Sequence, residues 1–207
     1  MLEIVEKNVD KGILNEVLNV QDLSFINEEV YKVKYKGEEF YSFPFFCDKG
    51  LIHTHKLFNF NFDSKLLDKT KTSYWLLKNP LFVYYDYLII SDNPTNIIKY
   101  ISKNFHHFEK TSFVCIVPSI FNNEALKFIK KKYAAEQTIS VFSNSSIKEI
   151  LKIKLTFSFN DKVIQIKKLI DTYKFSYNNH TIETKNIKYA FIRNRFKIKL
   201  NNIITHK

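Results

Sequence analysis

Three short polar stretches, each directly after an apolar run, hold the side chains best placed to do chemistry: Ser91-Asp92-Asn93, Pro118-Ser119 and Ser143-Asn144-Ser145. Each precedes a predicted helix. A helix N-terminus presents unpaired N–H groups and a partial positive charge, so such a site accepts phosphate or carboxylate. Ser91, Asp92, Asn93, Ser119, Ser143 and Asn144 are therefore candidates to line one strand-end pocket, with Asp92 the candidate catalytic carboxylate. Ser, Asp and Asn are also the ordinary helix-capping residues, and capping alone accounts for them equally well. No glycine-rich loop accompanies any of the three, which excludes a dinucleotide or Walker-type phosphate cradle.

A second group is cationic. Residues 147–207 hold 14 Lys and Arg against four acids, a net +10, whereas residues 1–146 hold 18 against 17. Charge concentrated at one end of a nearly neutral chain is the pattern expected of a polyanion partner. Arg193, Arg195, Lys197 and Lys199 alternate with Phe196, Ile198 and Leu200, which predicts a strand with one basic face. Such a face tracks phosphates, with Tyr173, Phe175, Tyr177 or Tyr189 available to stack on bases. It also suits an edge strand that deters aggregation. Lys130, Lys131 and Lys132 extend the basic surface or serve the C-terminal dipole of their own helix.

Metal and nucleophile patterns are sparse. Cys47, His53 and His55 form C-x5-H-x-H, with the two histidines on one face of a predicted strand. A zinc site there needs a further ligand from His106, His107 or Cys115. Solvent-facing or hydrogen-bonded histidines are the alternative. No Ser or Cys has a base near it in sequence, so no triad is assignable.

The elements that must position these residues follow from periodicity. With 45% apolar residues and 16% aromatics, the 207-residue chain folds around a substantial core. Only 3 Gly and 4 Pro occur, so flexible interdomain linkers are not expected. Leu2, Val5, Val9, Ile13 and Val17 predict one or two short helices, with Gly12 a weak point. From Val30 the period becomes two and predicts a three-stranded antiparallel meander to Phe62, with Pro44 at an edge or bulge. Residues 63–79 read as polar and then amphipathic around Tyr74-Trp75-Leu76-Leu77. Three strand-helix repeats follow Pro80, and Asn93-Pro94 marks one helix start. They predict a parallel sheet with right-handed crossovers. In the basic end, 155–159 is expected as a strand, 163–173 as a helix, 189–192 and 196–200 as strands, and 201–207 as frayed. The expected fold is thus mixed α+β, in three parts: residues 1–80, 81–150 and 151–207.

The strand-helix order over residues 87–150 resembles the TOPRIM domain of bacterial primases and topoisomerases. The preceding segment, from Tyr41-Ser42-Phe43-Pro44-Phe45 through Lys56 to Tyr74-Trp75-Leu76, resembles the region upstream of TOPRIM in primase-like proteins of Bacteroidetes mobile elements. The resemblance implies a Glu at the first strand end and an Asp-x-Asp pair at the third, sharing Mg²⁺ for phosphoryl chemistry. Those places fall at Ser91-Asp92-Asn93 and Ser143-Asn144-Ser145, where Asp92 is the one carboxylate. The expectation is a non-catalytic, nucleic-acid-binding member from a mobile element or phage, without Mg²⁺ or another cofactor. The alternatives are an enzyme acting on a phosphorylated or nucleotide substrate at the strand ends, and a structural module that binds a protein. Two distant cysteines, no signal-like N-terminus and no apolar run long enough to span a bilayer lead to a cytoplasmic expectation.

Overall fold

Capping sets the first turn of the chain. In the computed structural model, β1 (Leu2–Glu6) comes before α1 (Lys11–Leu18). Asn8 adopts φ 59°, and the Asp10 carboxylate then accepts from the N–H groups of Gly12 and Ile13 at 2.8 and 3.4 Å. A Cβ on Gly12 would lie 2.9 Å from that carboxylate oxygen, so the glycine makes room for the cap instead of breaking the helix. The expected helical stripe from Leu2 is therefore corrected: residues 2–6 pair antiparallel with the next strand. The structure describes residues 1–21, 23–26, 30–60, 65–68, 70–79, 84–142, 145–159, 164–197 and 203–205. Among them no helix is long and apolar enough to cross a membrane.

The meander forms as its period predicts, from β2 (Tyr31–Tyr35), β3 (Glu38–Phe46) and β4 (Ile52–Phe58), with β5 (Lys65–Leu66) beside β4. Lys36 and Gly37 both take positive φ (54° and 89°), the geometry of a two-residue hairpin that matches strand twist. Pro44 lies beyond the last β2 pair, Tyr31 with Ser42, and next to a register shift at Phe45/Phe46. There its missing N–H breaks no ladder bond to β2.

The amphipathic stretch around Trp75 is β6 (Tyr74–Asn79). Next come β7 (Tyr85–Ser91), α2 (Pro94–Lys103), α3 (Phe105–Phe108), β8 (Phe113–Pro118), α4 (Asn123–Lys132) and β9 (Ala135–Val141). β7 pairs parallel with both β8 and β9, and β6 pairs antiparallel with β8 along its whole length. Among the described residues, one bridge, Phe46 to Tyr74, links the meander to this half. The result is a mixed sheet of ten strands. Its two faces follow strand alternation: Ile89, Cys115 and Val117 face α1, α2 and α3, while Leu88, Ile90, Val114 and Ile116 face α4 and the helix after β9.

The basic end departs from expectation at several places. α5 (Ser145–Phe159) continues through residues expected as a strand. Leu151 and Leu155 pack on the sheet, while Ile153 and Phe157 pack on a third cluster. A helix buried on two sides thus shows an apolar residue at every second position, which reads as a strand. The helix expected over 163–173 is instead the hairpin of β10 (Gln165–Lys168) and β11 (Tyr173–Tyr177), completed by β12 (His180–Thr184). Ile164 is buried and Ile166 partly so, while Gln165 and Lys167 are exposed, a period of two. The strand expected at 189–192 is α6 (Tyr189–Arg195), whose Ile192 is buried against α5 and the small sheet. Near the end, in place of the expected fraying, β13 (Ile203–Thr205) pairs parallel with β9.

Candidate functional site

Helix placement opens the sheet at the carboxyl end of β7. α2, which follows β7, packs on one face, while α4 and α5, which follow β8 and β9, pack on the other. The chain therefore leaves β7 toward one side and both neighbouring strands toward the opposite side. Such a switch in direction creates a crevice outside the strand ends, the usual ligand position in open α/β sheets.

Ser91, Asp92 and Asn93 sit at this switch. Ser91 is fully buried, and its hydroxyl donates to Asp92 Oδ1 at 3.3 Å and accepts from the Asn93 N–H at 3.1 Å. Asn96, one turn into α2, donates its amide to the same Oδ1 at 3.1 Å. The Asp92 carboxylate is thus held by two neutral donors. Asn93 caps α2, accepting from the Thr95 N–H at 3.2 Å, and Pro94 occupies the first turn. Lys56 reaches across from β4 and donates its ammonium to the Asp92 carbonyl at 2.6 Å. No pattern in the sequence joins residues 56 and 92. Asn96 carries a weak signal, its spacing of four from Asp92 on a helix.

The other strand ends behave differently. The Ser119 hydroxyl accepts from the Ser73 N–H at 2.9 Å and donates to the Lys71 carbonyl at 3.2 Å, while its own N–H donates to the Ser73 carbonyl at 2.8 Å. It fastens the chain entering β6 to the end of β8. Ser143 and Asn144 lie outside the described residues, as does Lys199.

The basic residues lie elsewhere. Arg193 and Arg195 are in the last turn of α6, and Lys197 follows it at φ 51°. Arg193 and Arg195 are therefore helical, which corrects the expected alternation of cations on one strand face, while residues 198–200 of the expected strand lie outside the described residues. Every second residue on a helix turns about 200°. The Arg195 guanidinium lies 5.5 Å from the Phe191 ring centroid, a pairing one helical turn back. α6 runs alongside α5 in the same direction: the Tyr189 N–H donates to Glu149, and the Phe196 ring lies 5.7 Å from Phe157. Arg193 and Arg195 thus sit in the half of α6 that lies beside the C-terminal half of α5. Lys130, Lys131 and Lys132 end α4 at the amino ends of the parallel strands, with Lys132 over the Phe128 and Tyr133 rings. Lys130, Lys131 and Lys132 therefore lie at the opposite ends of the strands from the crevice.

The histidine pattern resolves into separate pairings. His55 is buried, with Nδ1 3.1 Å from Ser42 Oγ and its ring near Tyr31, and burial lowers its pKa. His53 Nε2 lies 3.6 Å from Asp68 Oδ2. His107 Nε2 is 3.0 Å from the Tyr87 hydroxyl. Cys115 is wholly buried, and desolvation pushes its thiol well above the ordinary value, which disfavours a nucleophilic thiolate. Among the described residues, no three His, Cys, Asp or Glu side chains converge as a metal-ligand set.

No family model matches the chain, and no curated protein sequence matches it. Several solved structures are similar in chain path over part of the molecule, two of them containing primase domains. The primase fragment of the bacteriophage T7 primase-helicase protein is 13% identical, with a TM-score of 0.43, over 62% of this chain and 52% of that one. A chain of the bacteriophage T7 lagging-strand DNA polymerase assembly with primase domains, bound to an RNA/DNA hybrid and dTTP, is also 13% identical, with a TM-score of 0.41, over 61% and 63%. This chain thus spans less than two-thirds of either.

Proposed function

We propose that this chain is a primase-related, TOPRIM-like nucleic-acid-binding protein without metal-dependent catalysis, in the mobile-element or phage setting that its sequence resemblance implies. One observation carries the reading: the strand-end crevice offers a lysine ammonium and one carboxylate tied to neutral amide and hydroxyl donors. Two-metal or one-metal phosphoryl transfer calls for several converging carboxylates. An ammonium beside a helix N-terminus suits a phosphate. The net +10 of residues 147–207 supports the same class of partner. Anisotropy titrations of the full chain with single-stranded DNA, duplex DNA and RNA at low salt test it. The expected result is binding that weakens steeply as salt rises, through counterion release. No binding to any of the three defeats the reading.

The fixed Asp92 carboxylate favours a second reading, an enzyme acting on a nucleotide held in the same crevice. That reading predicts a measurable turnover that Asp92→Ala abolishes while the fold persists. Turnover that survives the substitution removes Asp92 from the chemistry.

A further inference from the structure

We infer that the β10–β11 hairpin is the element that engages a nucleic-acid duplex, with Lys167 and Lys174 on phosphates and Ile170 as a wedge against a base step. This rests on the nucleic-acid-binding reading above and names the surface that does the binding. Lys167 and Lys174 are directly opposed across the two strands, and both are exposed. Like charges in that position oppose strand pairing. Among the described residues neither lysine has an ion-pair partner. Glu183 faces Lys174 from β12 and offsets part of its charge, while also accepting from the Thr172 hydroxyl at 2.7 Å. Among the described residues this face therefore carries two directly opposed cations against one carboxylate, a local excess of positive charge held in place by the strands.

That face is rigid because the opposite one is anchored. Ile166, Phe175 and Ile182 are in register across the three strands, and Phe175 is fully buried against Ile153, Phe157 and Ile192. At the tip, the Leu169 N–H donates to the Thr172 carbonyl at 2.9 Å, closing the turn and leaving Ile170 97% exposed. Lys168 and Lys185 line the hollow beside it, together with the acids Asp171 and Glu183. An apolar tip flanked by cations also describes a membrane anchor. Membrane docking, however, requires a broad apolar face, whereas this tip offers one isoleucine beside the acid Asp171. A wedge between base steps needs a single apolar side chain flanked by groups that hold the phosphates.

The full chain, its Lys167→Ala/Lys174→Ala double variant and its Ile170→Ser variant would be titrated against a duplex carrying 2-aminopurine. Vesicles containing phosphatidylserine would be titrated in parallel. The double variant is expected to stay folded with a melting point close to the parent's, because both side chains are exposed and the like-charge pair it removes offsets the Lys174–Glu183 attraction lost with it. Its slope of log affinity against log salt should be shallower by about 2, one for each phosphate that no longer meets a lysine. Ile170→Ser should keep the slope and lose the 2-aminopurine fluorescence rise that reports unstacking. If all three proteins bind the duplex with the same slope and the same unstacking, the hairpin assignment falls and the nucleic-acid reading stands. If the parent binds no nucleic acid at all, both fall. Binding to vesicles and not to the duplex overturns the wedge in favour of a lipid surface.

Discussion

Single side chains here take roles that their types alone do not announce. Ser119 and Ser91 both follow apolar runs, yet one fastens a loop and the other orients a carboxylate. Their type and position made both legible as strand-end residues. The partners that divide their roles, Ser73 and Asp92, come from different sequence distances. His55 allows a test at this scale. Burial lowers its pKa below the ordinary 6.5, so the folded protein binds fewer protons than the unfolded chain as pH falls through that value. Stability should therefore be full above pH 6.5 and decline as pH falls below it, toward the depressed folded value. Urea midpoints at about pH 7.5 and about pH 5.5, on either side of the ordinary imidazole pKa, are expected to differ more for the parent than for His55→Gln. Equal differences would remove His55 as the cause.

At the level of elements, the meander and the three strand-helix repeats were readable because each buries one face or lies wholly inside. Period two and short apolar runs then carry their usual meaning. α5 was not readable in this way. Lying between the large sheet and the small one, it buries Leu151 and Leu155 on one side and Ile153 and Phe157 on the other, so a helix wrote a strand's pattern. α6 was hidden differently: its short apolar run from Tyr189 to Ile192 reads as a strand, although only Ile192 is fully buried and Arg193 and Arg195 follow it half-buried and exposed. A strand would place Leu155 and Phe157 on one face, whereas the helix sends them to different layers. Phe157→Ala should cost about 3–5 kcal/mol. It should also lower amide protection in β11 and β12 more than in β7 and β8. Leu155→Ala should reverse that order, and hydrogen exchange read by mass spectrometry distinguishes the two patterns.

Across the whole molecule, the lysines that end α4 and the crevice are separated. Asp92 and Lys56 lie at the carboxyl ends of the parallel strands, while Lys130, Lys131 and Lys132 lie at their amino ends. The charge asymmetry was visible in composition, but its placement required the crossovers. The bridge from Phe46 to Tyr74 has a mechanical implication. Among the described residues, backbone pairing between meander and parallel half rests on that one pair, and buried side chains such as Phe43, Phe58 and Trp75, with the Lys56–Asp92 hydrogen bond, add cohesion. The seam should act as the boundary between two cooperative opening units. Native-state exchange is expected to release the amides of β2, β3 and β4 together, at lower denaturant than those of β6, β7 and β8. Trp75→Ala should widen that gap. A single chain pulled apart by force from residues 2 and 142 should then yield in two steps, with the meander first to let go.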